Sequence, residues 1–136
     1  MKVINIITSL LFLIFFSCSK AIDTNHLNGY WEIESVQTKT SEKQYTFNKN
    51  IDFYSLNENI GFKKKLSVTF NDKYQSNSLQ IPFEIKTENG KTFLYFNQNN
   101  NKWKEEILKL NDKELKVKNE NNIIYTYKRH QPIKLD

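Results

Sequence analysis

The sequence predicts an all-β domain, an eight-stranded antiparallel up-and-down barrel, with a two-sheet β-sandwich as the rival arrangement. Three observations predict it. Apolar residues alternate with polar ones, as in Leu79, Ile81, Phe83 and Ile85, in Leu66, Val68 and Phe70, and in Ile123, Tyr125 and Tyr127. The connections between these runs are short and polar. No segment after Cys18 keeps a helical period over a dozen residues. Eight antiparallel strands leave two exposed edges unless the sheet closes on itself, which favours the barrel.

Strands are expected over about 29–38, 44–56, 64–71, 79–87, 92–97, 102–110, 114–118 and 123–129, the second divisible near Asn48 to Asn50. Asn89-Gly90 is the strongest turn signal, because a type I′ hairpin needs positive φ at both central residues. A two-residue loop there pairs Glu88 with Lys91, Ile85 with Leu94 and Phe83 with Phe96, and puts the last four on one inner face. Phe93 and Tyr95 then face outward, with Lys86 and Glu84. Pro82 would oppose Asn97, and proline has no donor, so the ladder should end or bulge there. Gln98 to Asn101 reads as loop. Counting through Asp112-Lys113 pairs Leu110 with Leu115 and Leu108 with Val117. That count leaves Trp103 and Ile107 on the opposite face unless a bulge reverses it.

Composition sets bounds. The chain has 136 residues, 38% of them hydrophobic, with 10 Phe, 7 Tyr and 2 Trp, so the core relies on aromatics. Formal net charge is +5. Arg129 is the only arginine among 20 basic residues. No arginine cluster or nucleic-acid motif accompanies the charge, which reads as a solvated lysine surface rather than a nucleic-acid partner. Lys63-Lys64-Lys65, the densest run, reads as protection of a strand edge or as a loop. The two histidines, His26 and His130, lie far apart, have no ligand spacing and are expected to be solvated. Glu105-Glu106 is the adjacent acidic pair closest to catalytic pattern, and on a strand the two point to opposite faces. No enzyme, cofactor or metal is expected.

Cys18 is the only cysteine, so no intrachain disulfide is available. Lys2 followed by apolar residues from Val3 to Phe16 has the length of a signal-peptide h-region and is short for a membrane span. Phe15-Phe16-Ser17-Cys18 resembles the lipobox of bacterial lipoproteins, with Ser17 as the small residue before the cut and Phe15 where an aliphatic residue is usual. That resemblance implies a leader over 1–17, a diacylglycerol thioether on Cys18 and acylation of the new amino terminus. Several acyl chains on one residue anchor firmly where one would not, at about 0.8 kcal/mol per buried methylene. The tether would occupy 18–28 and the barrel 29–136. Ser19 is not the aspartate of inner-membrane retention, which implies an outer-membrane anchor on either side.

Gly29-Tyr30-Trp31 opens the first strand, and Tyr125-x-Tyr127-x-Arg129 ends the last. This resembles the lipocalin signature, and the whole chain after the leader is similar to the lipocalin-like domain of small bacterial lipoproteins. The resemblance implies that Arg129 packs across Trp31 and closes one end of the barrel. It also implies room for a small apolar or amphipathic ligand, with Ile33, Leu66, Val68, Ile81, Phe83, Ile85, Leu94 and Phe96 as lining candidates. The alternative is a filled core in a structural, inhibitory or protein-interaction module, for which outward Phe93 and Tyr95, with Trp103 beside them, would be an aromatic patch.

Overall fold

In the computed structural model the described residues are 20–46, 48–69, 71, 73–76 and 79–131. The leader, Cys18 and Phe70 lie outside them. Ten strands follow a short 3-10 turn at Thr24–Leu27: β1 (Gly29–Gln37), β2 (Glu42–Gln44), β3 (Asn50–Asn57), β4 (Ile60–Val68), β5 (Tyr74–Gln75), β6 (Ile81–Glu88), β7 (Lys91–Gln98), β8 (Asn101–Leu110), β9 (Glu114–Asn119) and β10 (Ile124–Arg129). Eight of them run β1-β3-β4-β6-β7-β8-β9-β10, each antiparallel to the next, and β10 pairs back onto β1. The sheet is a closed eight-stranded barrel, and closure sets the sandwich aside. β2 and β5 are short additions that pair with β1 and β4.

The Asn89-Gly90 turn sets the register as the sequence predicts. Asn89 has φ 50° and Gly90 φ 75°. Glu88 faces Lys91, Ile85 faces Leu94, and Phe83 faces Phe96. The β6–β7 ladder stops at Phe83, one residue short of Pro82, whose missing N–H cannot extend it. The loop after β7 is tighter than expected. Asn99 and Asn100 take positive φ, and Gln98 pairs directly with Asn101.

Two registers differ from expectation. The first is at β3–β4. A two-residue turn, Glu58-Asn59, pairs Asn57 with Ile60, so β4 starts four residues before the expected 64. Glu58 sits at φ 57°, a conformation that a glutamate does not advertise in sequence. The Asn59 carbonyl accepts a 2.7 Å bond from the Ile85 amide, so a contact with β6 helps hold the turn. Of the expected second strand, 44–56, the part from Asn50 forms β3, while β2 (Glu42–Gln44) shares only Gln44 with it.

The second is at β8–β9. Leu110 faces Leu115, but Ile107 rather than Leu108 faces Val117, because a bulge falls between Ile107 and Lys109. The extra residue restores inward parity to Ile107, which is buried, and leaves Leu108 exposed. Trp103 turns inward with it. The indole stacks on Phe96 at 5.0 Å between ring centres and 11° between planes, so it is not part of the outer Phe93–Tyr95 patch.

Within the expected tether, the described residues 20–28 do more than span a gap. From Ile22 on they pack against the core, and Leu27 is fully buried across one barrel end. The turns β3–β4, β6–β7 and β8–β9 lie at that same end, and the long connections β1–β3 and β4–β6 at the other. Replacing Ile107 by alanine should cost about 2–5 kcal/mol of unfolding free energy in urea titration. The same change at Leu108 should cost less than about 1 kcal/mol. The reverse order would remove the bulge from the account.

Candidate functional site

Arg129 closes the turn end. β10 delivers it opposite Trp31 on β1, with the guanidinium carbon 3.8 Å from the indole ring centre. Its three nitrogens donate to three carbonyls: Nη1 to Asn28 at 2.7 Å, Nη2 to His26 at 2.7 Å and Nε to Asp112 at 3.0 Å. A planar fork with donors on every nitrogen is the group that can stack and bond at once. The indole N–H of Trp31 donates to the Leu27 carbonyl at 2.8 Å. Gly29, at φ 119°, completes the arrangement, since a Cβ there would lie 2.9 Å from Arg129 Nη1. Partial burial lowers the Arg129 pKa.

The β3–β4 register decides what faces the lumen. Tyr54 on β3 is fully buried in the core and faces Lys63, and Asp52 faces Lys65. By register Lys63 and Lys65 fall on the inner face and Lys64 on the outer, with Lys63 largely buried and Lys65 exposed at the barrel mouth, so the run is not a plain edge or loop. Leu66 and Val68, expected to line the lumen, fall on the outer face by the same count. Leu66 is buried there beside Ile51, and neither belongs to the core cluster that fills the barrel.

Phe83, Ile85, Leu94 and Phe96 do face inward and are packed solid, each at most 7% exposed, with Ile81 against them. These side chains fill that half of the lumen. Space remains on the other side. A cavity of about 180 Å³ is lined by Trp31, Ile33, Asn48, Asn50, Asp52, Lys65, Tyr125 and Tyr127. Of the eight lining candidates only Ile33 borders it. A larger hollow of about 480 Å³ lies at the rim, beside Leu79, Pro82 and Asn97, where β6 and β7 part beyond Phe83, and is open to solvent.

Beneath the cavity is a charged cluster. Lys63 Nζ lies 3.0 Å from Asp52 Oδ2, 5.3 Å from the Tyr54 ring centre and 5.8 Å from that of Tyr127. Glu105, which faces Leu94 from β8, belongs to the same cluster. Its Oε2 and the Tyr54 hydroxyl are buried without a hydrogen-bond partner. Burial works to lower the Lys63 pKa, but Tyr54, Tyr127, Asp52 and Glu105 together raise it, so the lysine stays charged. Burial raises Glu105, opposed by Lys63 and reinforced by Asp52. Burial also raises Tyr54 and Tyr127. Lys63 and Glu105 each stand out in the sequence, but nothing there joins them, because the inward parity of Lys63 depends on the unmarked Glu58 turn.

Other candidates are accounted for. Glu106 points outward to Lys118 at 2.9 Å and Lys91 at 3.5 Å, opposite in sense to Glu105. His26 is partly solvated. His130 is not, contrary to expectation: its Nδ1 lies 3.3 Å from Glu32 and its ring meets Tyr74 edge-on. Phe93 and Tyr95 face outward, but Lys104 Nζ covers both, 4.7 and 5.5 Å from their ring centres, and Tyr95 donates to Glu88. Among the described residues no group of three His, Cys, Asp or Glu could hold a metal.

The sequence matches no protein-family model and no curated protein. Among solved structures, the chain is similar to a lipocalin-like protein from Bacteroides uniformis, at 8% identity and a TM-score of 0.48, over 77% of this chain and 99% of that one. It is also similar to an uncharacterized protein from Bacteroides eggerthii, at 10% identity and a TM-score of 0.49, over 76% of this chain and 99% of the other. The barrel architecture rests on the strand order itself.

Two outcomes test the site. Arg129→Ala should lower stability by about 2–4 kcal/mol, through three lost charge-assisted bonds and the lost stack. Arg129→Lys should recover less than half of that by urea titration, since one ammonium cannot reproduce the fork. Glu105 has a raised folded-state pKa, so the folded chain holds this proton more tightly than the unfolded chain. The resulting stability is present in full below the unfolded pKa and is lost as pH rises through the folded one. Glu105→Gln should therefore gain melting temperature over the native chain at pH 7, and the gain should shrink toward pH 4.

Proposed function

We propose that this chain is a lipid-anchored, lipocalin-like lipoprotein of the cell envelope that binds a small amphipathic molecule at the open end of its barrel, without catalysis. The lumen cavity carries the reading. It lies inside a closed barrel, away from the Arg129 end, and sets the rings of Trp31, Tyr125 and Tyr127 beside polar Asn48, Asn50 and Asp52. Ligand sites run from about 300 to 1,000 Å³, so about 180 Å³ suits a small molecule or the end group of a larger one. The mixed lining favours an amphipathic ligand over a purely apolar one. The leader pattern and Cys18 support anchoring by acyl chains, with the outer membrane as the expected site. The lysine cover over Phe93 and Tyr95 removes the main motive for a bare aromatic docking patch.

Native mass spectrometry of the protein taken from its own membrane tests both halves. The native chain should carry acyl mass and a non-covalent small molecule. Cys18→Ala should lose the acyl mass and leave the membrane fraction. Ile33→Trp, which fills the cavity, should lose the small molecule and keep the acyl mass. Equal small-molecule occupancy in the Ile33→Trp chain would overturn the binding half, and acyl mass on the Cys18→Ala chain would overturn the anchor.

A further inference from the structure

We infer that the barrel end closed by Arg129 rests on the lipid bilayer, with Ile60 of the β3–β4 turn in contact with it, so that the cavity mouth faces the aqueous side. The inference rests on the acyl-anchor reading above and adds the orientation that such an anchor imposes.

Covalent reach sets the orientation. Cys18 lies four residues before Ile22 in the chain. Four residues span about 14 Å at most, whatever path they take. Ile22 packs on the core, and Leu27 is buried across the turn end. The segment is held there by several bonds. Arg129 donates to the carbonyls of His26 and Asn28, and the Asn28 side chain accepts from the Leu56 amide at 2.6 Å. The anchor therefore leaves from the turn end. A nine-residue strand such as β4, at about 3.3 Å per residue and tilted by about 40°, makes the wall roughly 23 Å tall. The open end is out of reach of a lipid attached to Cys18.

Surface chemistry separates an end-on seat from a side-on one. Ile60, 69% exposed, opens β4 directly after the β3–β4 turn. Leu108, also exposed, lies two residues before β8 ends at the same rim. Once the anchor is in place, contact by a neighbouring apolar side chain is effectively intramolecular, which favours insertion of Ile60 at the headgroup boundary. The side walls suit lipid poorly. Ion pairs Lys86–Glu84, Lys104–Glu88 and Lys118–Glu106 cover the β6–β9 wall and would lose water. On the β1–β3 wall, Tyr74 already stacks over Tyr30 at 4.6 Å. Exposed charges at the turn end are mixed, with Lys20, Lys91 and Lys113 against Asp23, Glu58 and Asp112, so the seat needs no anionic lipid. Asn50 and Tyr125, at the far end of the cavity lining, then face water, and a ligand enters from the aqueous phase rather than sideways from the bilayer.

The acylated full chain in phosphatidylcholine vesicles, with nitroxide on the lipid acyl chains, provides the test. With Cys18 acylated, an introduced cysteine is the one free thiol and takes a fluorophore. Fluorophores on Asn59→Cys and Lys113→Cys, at the turn end, should be quenched at least threefold more than those on Leu79→Cys and Lys102→Cys, at the open end. Ile60→Asp in the Asn59→Cys chain should cut that quenching at least twofold, and Leu79→Asp should leave it unchanged. Equal or reversed quenching at the two ends, in chains that float with the vesicles and keep their melting temperature, would overturn the orientation and leave the anchor intact. Unchanged quenching in the Ile60→Asp chain would overturn the isoleucine contact. If the chain does not float with the vesicles, or takes the fluorophore at Cys18 itself, the anchor and the orientation fall together.

Discussion

The Arg129 guanidinium joins parts of the chain about a hundred residues apart, and the barrel's geometry is referenced to that junction. A sheet becomes a barrel only when its first and last strands meet in register, and the closure entropy of the whole chain opposes that meeting. Here β10 lies along β1, Arg129 rests on Trp31, and its fork ties the β8–β9 turn to the segment before β1. With Trp31 fixed inward, alternation does the rest. Asp52, its partner on β3, must also face inward, and Lys65, opposite Asp52, must follow. Gly29 admits the guanidinium because it has no side chain, which gives Gly-x-Trp a steric reason here.

Much of this was legible because alternation and turn chemistry are local. Asn89-Gly90 announces its backbone conformation, and the register of β6 on β7 follows by counting. Pro82 announces where that ladder must end. Arg129 stood out as the exception in a lysine-rich chain. The illegible parts are places where tertiary contacts decide. Glu58 holds a positive φ without the residue type that signals one, and its neighbour Asn59 bonds to β6. The bulge at Leu108 exchanges the faces of Ile107 and Leu108, and both are equally apolar, so composition gives no preference.

One unforeseen turn, Glu58-Asn59, had a large effect on the candidate site. A strand begun at Lys64 leaves the lysine run at an edge or in a loop, and makes Leu66 and Val68 look like lining. A strand begun at Ile60 carries Lys63 into the lumen and places Lys65 on the same face at its exposed mouth. The chemistry expected of the interior changes from apolar to charged. Side-chain period two makes this sensitivity unavoidable, since any shift in parity exchanges the two faces completely.

The lumen is divided by strand rather than by depth. β6 turns Ile81, Phe83 and Ile85 inward, and they pack with Leu94 and Phe96 into a solid half. Its neighbour β4 turns Gly61, Lys63, Lys65 and Ser67 inward, with no apolar side chain among them. Stability does not require such a row. A buried ion pair replaced by well-packed apolar residues is often neutral or stabilising, and the orphaned Tyr54 hydroxyl and Glu105 oxygen carry a desolvation cost of their own. The packed half and the Arg129 junction supply the rigidity that allows β4 to remain polar. Violations of core chemistry concentrated on one strand, beside the lumen's open space, are what a recognition surface needs and a filler does not. The polar row of β4 is therefore where the proposed recognition would sit, and the apolar row of β6 is the scaffold beside it.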